Sequence, residues 1–161
     1  MSVDRGVLDW QARAITLWPG AKTSPRIRHP FHTISKNGNR SSQVDWSGTL
    51  AILDRELNAL GATNVVLELA VRPSQIRQDG WVRGDASIQD PGVILSFDSD
   101  VGPMRYPVDR YTSWKGNVRA LALALEALRK VNRYGVAGRA EQYHGWLAIP
   151  AQTGGGDPYQ L

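Results

Sequence analysis

Six aspartates, Asp79, Asp85, Asp90, Asp98, Asp100 and Asp109, fall within thirty-one residues of this 161-residue chain. Carboxylates at that density could converge on a divalent cation and activate water for phosphoester cleavage. Asp85, Asp98 and Asp100 would then be the ligands of a metal-dependent nuclease. The local sequence favours a different use. Asp79-Gly80, Asp90-Pro91 and Asp100-Val101-Gly102 are turn sequences, in which a short carboxylate bonds its own backbone. No lysine lies between Lys36 and Lys115, so the acid–acid–lysine set of many nucleases is missing.

The other chemistry-bearing residues are sparse. His29 and His32 could share a metal, but their neighbours supply no Cys, Asp or Glu to complete a ligand set. They are expected as exposed side chains. His144 sits between Tyr143 and Trp146 and is expected in packing. There is no Gly-x-Ser-x-Gly and no Walker-type loop, so a serine hydrolase or nucleotide hydrolase is not indicated. The absence of cysteine excludes disulfides and thiolate metal sites and suits a reducing compartment. The expectation is a binding protein, with no catalytic residue, metal or cofactor.

Charge says more. Residues 10–44 contain no acid and six cations, Arg13, Lys22, Arg26, Arg28, Lys36 and Arg40. Of 19 basic residues in all, 13 remain elsewhere against 15 acids, so the net charge of +4 belongs to the N-terminal quarter. Such an arm could follow a phosphate backbone of DNA or RNA, while Trp10, Trp18 and Phe31 stack on bases. Arginines outnumber lysines 15 to 4, which favours bidentate phosphate or carboxylate contacts. Trp81, Trp114, Tyr143 and Trp146 are the candidate aromatics for a protein partner.

The elements that must carry these residues read as an α+β domain. Residues 12–18 suit a short strand before Pro19-Gly20, and 19–45 read as a long loop or arm. Leucines 50, 53, 57 and 60 give one apolar stripe over 48–60, with Ser47 as cap and Gly61 as stop. Strands are expected over 64–72, from Trp81 to Arg83, over 92–97 and over 104–108; Pro107 puts the last at an edge. A second helix spans 113–132, burying Trp114, Val118, Leu121, Leu125 and Leu128 and turning Arg119, Glu126, Arg129 and Lys130 outward. The simplest assembly is an antiparallel sheet of three to four strands with both helices on one face. In outline this order resembles the double-stranded-RNA-binding domain, without any of its residue motifs. The expected divisions are 1–45 (strand and basic arm), 46–149 (the α+β domain) and 150–161 (a glycine-rich linker and the last residues of the chain).

The opening residues, with Asp4 and no apolar run, are not a signal peptide. The longest apolar stretch, 120–125, is far short of the ~20 residues of a membrane span. A cytoplasmic protein is expected.

The end of the chain carries the most specific pattern. After Gly154-Gly155-Gly156 comes Asp157-Pro158-Tyr159-Gln160-Leu161, which resembles the first residues of a J domain. The sequences Pro91-Gly92-Val93-Ile94-Leu95-Ser96-Phe97, Leu123-Ala124-Leu125-Glu126-Ala127-Leu128-Arg129-Lys130-Val131 and Arg133-Tyr134-Gly135-Val136 resemble the N-terminal region of J-domain-containing proteins of actinobacteria and their phages. The His-Pro-Asp tripeptide that stimulates the partner ATPase is absent. Residues 150–161 would then be a linker and the start of a truncated J domain. The resemblance implies an adaptor module that binds a protein or nucleoprotein, without J-domain activity. Direct nucleic-acid binding through the arm is the alternative.

Overall fold

The computed structural model describes residues 10–31, 33–34, 36–41 and 43–133. His32, Tyr143, His144, Trp146, the triple glycine and the J-domain-like ending lie outside the described residues.

The leucine stripe builds the first helix, α1, Trp46–Ala59. Leu50, Leu53, Leu57 and Leu60 are all buried. Its cap is Asp45 and not Ser47: the Asp45 carboxylate accepts from the Gly48 N–H at 3.1 Å, and its carbonyl accepts from the Thr49 N–H at 2.9 Å. A carboxylate before the first turn serves the N-terminal N–H groups and suits the helix dipole better than a hydroxyl. Gly61 ends the turn with φ +65°, where a side chain would also strike the Asp100 carboxylate, 2.7 Å from a Cβ position.

The second helix, α2, runs over Trp114–Arg133. Val118, Leu121, Ala122 and Leu125 are buried along it, while Trp114 and Leu128 are half-buried. The expectation that Arg119 and Arg129 point away from the core side is overturned. Arg129 reaches the carboxylate of Glu56 on α1, and Arg119 donates to Thr49 Oγ1 at 3.3 Å. The helices therefore meet along a polar seam beside their apolar stripes.

The main sheet has the order β1-β4-β5-β6. Its strands are β1, Gln11–Ala14, β4, Thr63–Leu69, β5, Val93–Ser99, and β6, Gly102–Val108. A separate hairpin pairs β2, Thr33–Ile34, with β3, Arg40–Ser41. The sheet is mixed and not purely antiparallel, since β1 runs parallel to β4. A tight link forces antiparallel pairing, as between β5 and β6. The connection from β1 to β4 contains the arm and α1, long enough for a parallel crossover.

Register sorts the two faces. Ala12, Leu67, Leu95 and Tyr106 share one row, all buried in the core with both helices. Gln11, Val66, Ser96 and Arg105 make the adjacent row on the opposite face. The strand expected at Trp81–Arg83 does not form. The segment makes one isolated bridge, Ile76 to Val82, because Gly84 and Asp85 turn the chain before a ladder can extend. Gly80 O accepts from Ala12 N–H at 2.6 Å, so this segment covers the outer edge of β1. Among the described residues no helix is long and apolar enough to cross a membrane.

Candidate nucleic-acid interface

The first half of the basic arm is bolted to the domain. Arg26 donates to both oxygens of Asp90, at 2.7 and 3.2 Å, and to Asp109 at 3.4 Å. Thr23 adds its N–H and its hydroxyl to Asp109, at 2.7 and 2.5 Å. The hydrogen bonds that Arg26 donates to Asp90 push its guanidinium above the ordinary pKa, against the opposing effect of burial. Burial pushes both carboxyls up. Arg26 and the Gly92 N–H outweigh it at Asp90, as Thr23 and Arg26 do at Asp109, so both acids are held below their usual range.

Asp85, Asp98 and Asp100 do not form a metal cluster: among the described residues no group of three His, Asp or Glu side chains could hold an ion. Asp85 faces Arg83 at 3.4 Å. Asp98 accepts from the Asn64 amide at 2.9 Å.

The second half of the arm runs along the start of α2. Ile27 N–H bonds Arg110 O at 3.2 Å, and Thr112 N–H bonds Ile27 O at 3.0 Å. This sets Ile27 beside Tyr111; their sequence neighbours Arg28 and Arg110 are both exposed. Beyond Arg28, His29 stacks on Phe31 (centroids 5.7 Å, planes 13° apart), and Phe31 meets Tyr111 edge-on at 5.7 Å. The helix entry is fixed by Asn117, wholly buried, whose amide accepts from Tyr111 N–H at 3.0 Å and donates to Pro91 O at 2.8 Å. Ser113 Oγ accepts from the Gly116 N–H at 3.2 Å. Gly116 is the closest approach of arm and helix: a Cβ there would lie 3.0 Å from His29 Cβ.

His29, Gln43, Val44, Ser113 and Lys115 line a cleft of about 410 Å³. The Lys115 ammonium lies 5.5 Å from the Trp46 ring and 5.7 Å from the Trp114 ring, and the two indoles meet at 5.1 Å. The hairpin of β2 and β3 leaves this site after Phe31 and returns at Gln43. Its Lys36 and Arg40 are exposed.

The arm's six cations thus divide. Arg28 is exposed next to His29 in sequence, and Lys36 and Arg40 are exposed on the hairpin. Arg26 is not available to phosphate, because two carboxylates engage it. Lys22 lies 4.0 Å from Asp90. Arg13 projects from the sheet face away from the helices, with Glu68 its neighbour on β4. Trp81 is also corrected: it is 0 % exposed, packed edge-on against Trp10 at 6.3 Å, and serves the core instead of a partner. Trp114 is half-buried at the cleft. Sequence reading missed Trp46, Arg110, Tyr111 and Lys115. The signal was present in Arg110-Tyr111 and Trp114-Lys115, a basic–aromatic alternation at the head of a helix like that of the arm. No family model, curated protein or solved structure matches this chain.

Proposed function

We propose that the chain is a binding module, not an enzyme, and that its ligand is nucleic acid held at the cleft before α2. This fits the adaptor role implied by the resemblance to J-domain-containing proteins, with a nucleoprotein as the larger partner. The observation that carries the proposal is a run of cations and rings around the start of α2: Lys115 shares the cleft wall with His29 and lies by Trp46 and Trp114, His29 stacks on Phe31 and Phe31 meets Tyr111, and Arg28, Arg110, Lys36 and Arg40 are exposed on the segments that carry them. The nearby acids are committed elsewhere: Asp45 caps α1 and Asp109 holds Arg26 and Thr23. Exposed cations beside aromatic rings suit phosphate and base together.

The test is fluorescence anisotropy with labelled DNA and RNA across salt. Five phosphate contacts give a slope of log affinity against log salt of about −3.5 on single strands and about −4.5 on duplex. Affinity should fall about a hundredfold or more between roughly 50 and 200 mM salt. Arg40→Gln should flatten the slope by nearly one contact. No binding at about 50 mM salt would overturn the proposal.

A further inference from the structure

We infer that the cleft accepts an unpaired nucleobase, so that this surface selects single-stranded over duplex nucleic acid; the inference rests on the nucleic-acid reading above. Three observations carry it.

The first is the arrangement of rings. His29 lines the cleft and is stacked on Phe31 with nearly parallel planes. A base entering the cleft would meet this ring pair. Stacking of this kind needs a free π-face, which a duplex keeps inside its own column of bases. The volume, about 410 Å³, lies in the range of small-ligand pockets. The Ser113 hydroxyl at its wall can donate a hydrogen bond to a base edge, and Lys115 supplies a cation for the adjoining phosphate.

The second is what the helices lack. Reading a duplex needs an element in the major groove that presents cations and amides along its exposed face. Among the residues of α2 whose side chains are described, the exposed positions are Ala124, Ala127 and Lys130. On α1 they include Ser47, Ala51, Asn58 and Ala59, and its exposed Arg55 is engaged by Glu56 and Glu126. Neither helix is equipped for a groove.

The third is His29 itself. Its Nδ1 is buried with no hydrogen-bond partner among the described residues, a cost of about 1–3 kcal/mol when nothing supplies one. The protein holds this imidazole against Gly116 without using its polar edge, as suits a side chain kept for a ligand.

The experiment compares one oligonucleotide sequence as single strand and as duplex, by anisotropy at about 50 mM salt, together with His29→Leu and His29→Phe. The single strand should bind at least tenfold tighter, and its binding should quench tryptophan fluorescence. His29→Leu should weaken single-strand binding by about tenfold, leave the salt slope unchanged and leave the melting temperature intact. His29→Phe, which keeps the stacking plane, should restore most of the affinity. Equal affinity for strand and duplex, or wild-type affinity in His29→Leu, would overturn the inference while leaving the nucleic-acid reading in place. Failure of both forms to bind would overturn the reading beneath it.

Discussion

The sharpest quantitative consequence concerns a carboxylate placed in an apolar stripe. Glu56 occupies the buried face of α1 beside Leu53 and Leu57, and its side chain is 1 % exposed. It accepts from Arg129 Nε at 2.5 Å and Nη2 at 2.9 Å, and from Arg55 Nε at 3.3 Å. Burial pushes its pKa up, but the hydrogen bonds from Arg129 and Arg55 outweigh this and hold it below the usual carboxylate value.

Removing one partner of a buried pair costs about 3–5 kcal/mol, whereas replacing both by apolar side chains is often neutral or better. Arg55 stays behind in Arg129→Leu, which points to the low end, about 3 kcal/mol. Glu56→Leu takes one partner from Arg129, but that side chain is 31 % exposed and can turn to water, so the loss should be about 1 kcal/mol. The double variant should lie within about 1 kcal/mol of wild type. Urea unfolding followed by circular dichroism measures all four corners of this cycle. The pH dependence supplies a second check. A depressed folded pKa gives stability that is complete above the unfolded value, about 4.3, and is lost as pH falls through the folded one. The Arg129→Leu penalty must therefore shrink in acid. Single-variant losses that add within about 0.5 kcal/mol, or a penalty unchanged in acid, would refute the reasoning.

Two other consequences are testable. Asp90 and Asp109 have depressed pKa values and Arg26 a raised one, so the arm's tether is complete above the ordinary aspartate value of about 3.9 and fails as pH falls through the folded ones; hydrogen exchange at the Ile27 and Thr112 amides should accelerate there, and in Arg26→Leu at neutral pH, and protection that survives both would refute the tether. On β6, Pro103 and Pro107 pair with β5 residues yet have no N–H, so their nitrogens must face the open edge and blunt it; the double replacement by threonine should produce concentration-dependent association in sedimentation runs, and a protein that associates no more than wild type would sink that role.

The features legible in the sequence are those set by local physics. Leucine spacing located α1 and the apolar face of α2. Pro107 marked an edge strand, and β6 does lie at the edge. Gly61 marked a left-handed turn and has one. The misses have non-local causes. The pairing of β1 with β4 depends on a connection whose path no periodicity reveals. Trp81 looked like a surface aromatic because its flanks are turns and charges. Its burial depends on Trp10, seventy-one residues earlier. Glu56 and Arg129 are each plausible as solvent-facing charges, and only the side-by-side placement of two helices makes them partners.

The same reasoning explains why the arm's charge was a poor guide and its partners a good one. An acid-free segment looks uniformly available for phosphate, but availability depends on carboxylates supplied from far along the chain. Asp90 and Asp109 take up Arg26, with Thr23 beside it. One strand-like step later, Ile27 is hydrogen-bonded to both sides of Tyr111. From there His29 passes Gly116, where a Cβ would lie only 3.0 Å from it. Committing one arginine to two acids, Asp90 and the buried Asp109, therefore fixes where the next basic and aromatic residues lie. If Arg26 were instead free to meet a ligand, Arg28, His29 and Phe31 would lose their fixed position against α2. The cation that sequence reading ranked with the ligand contacts thus acts on the interface by positioning it.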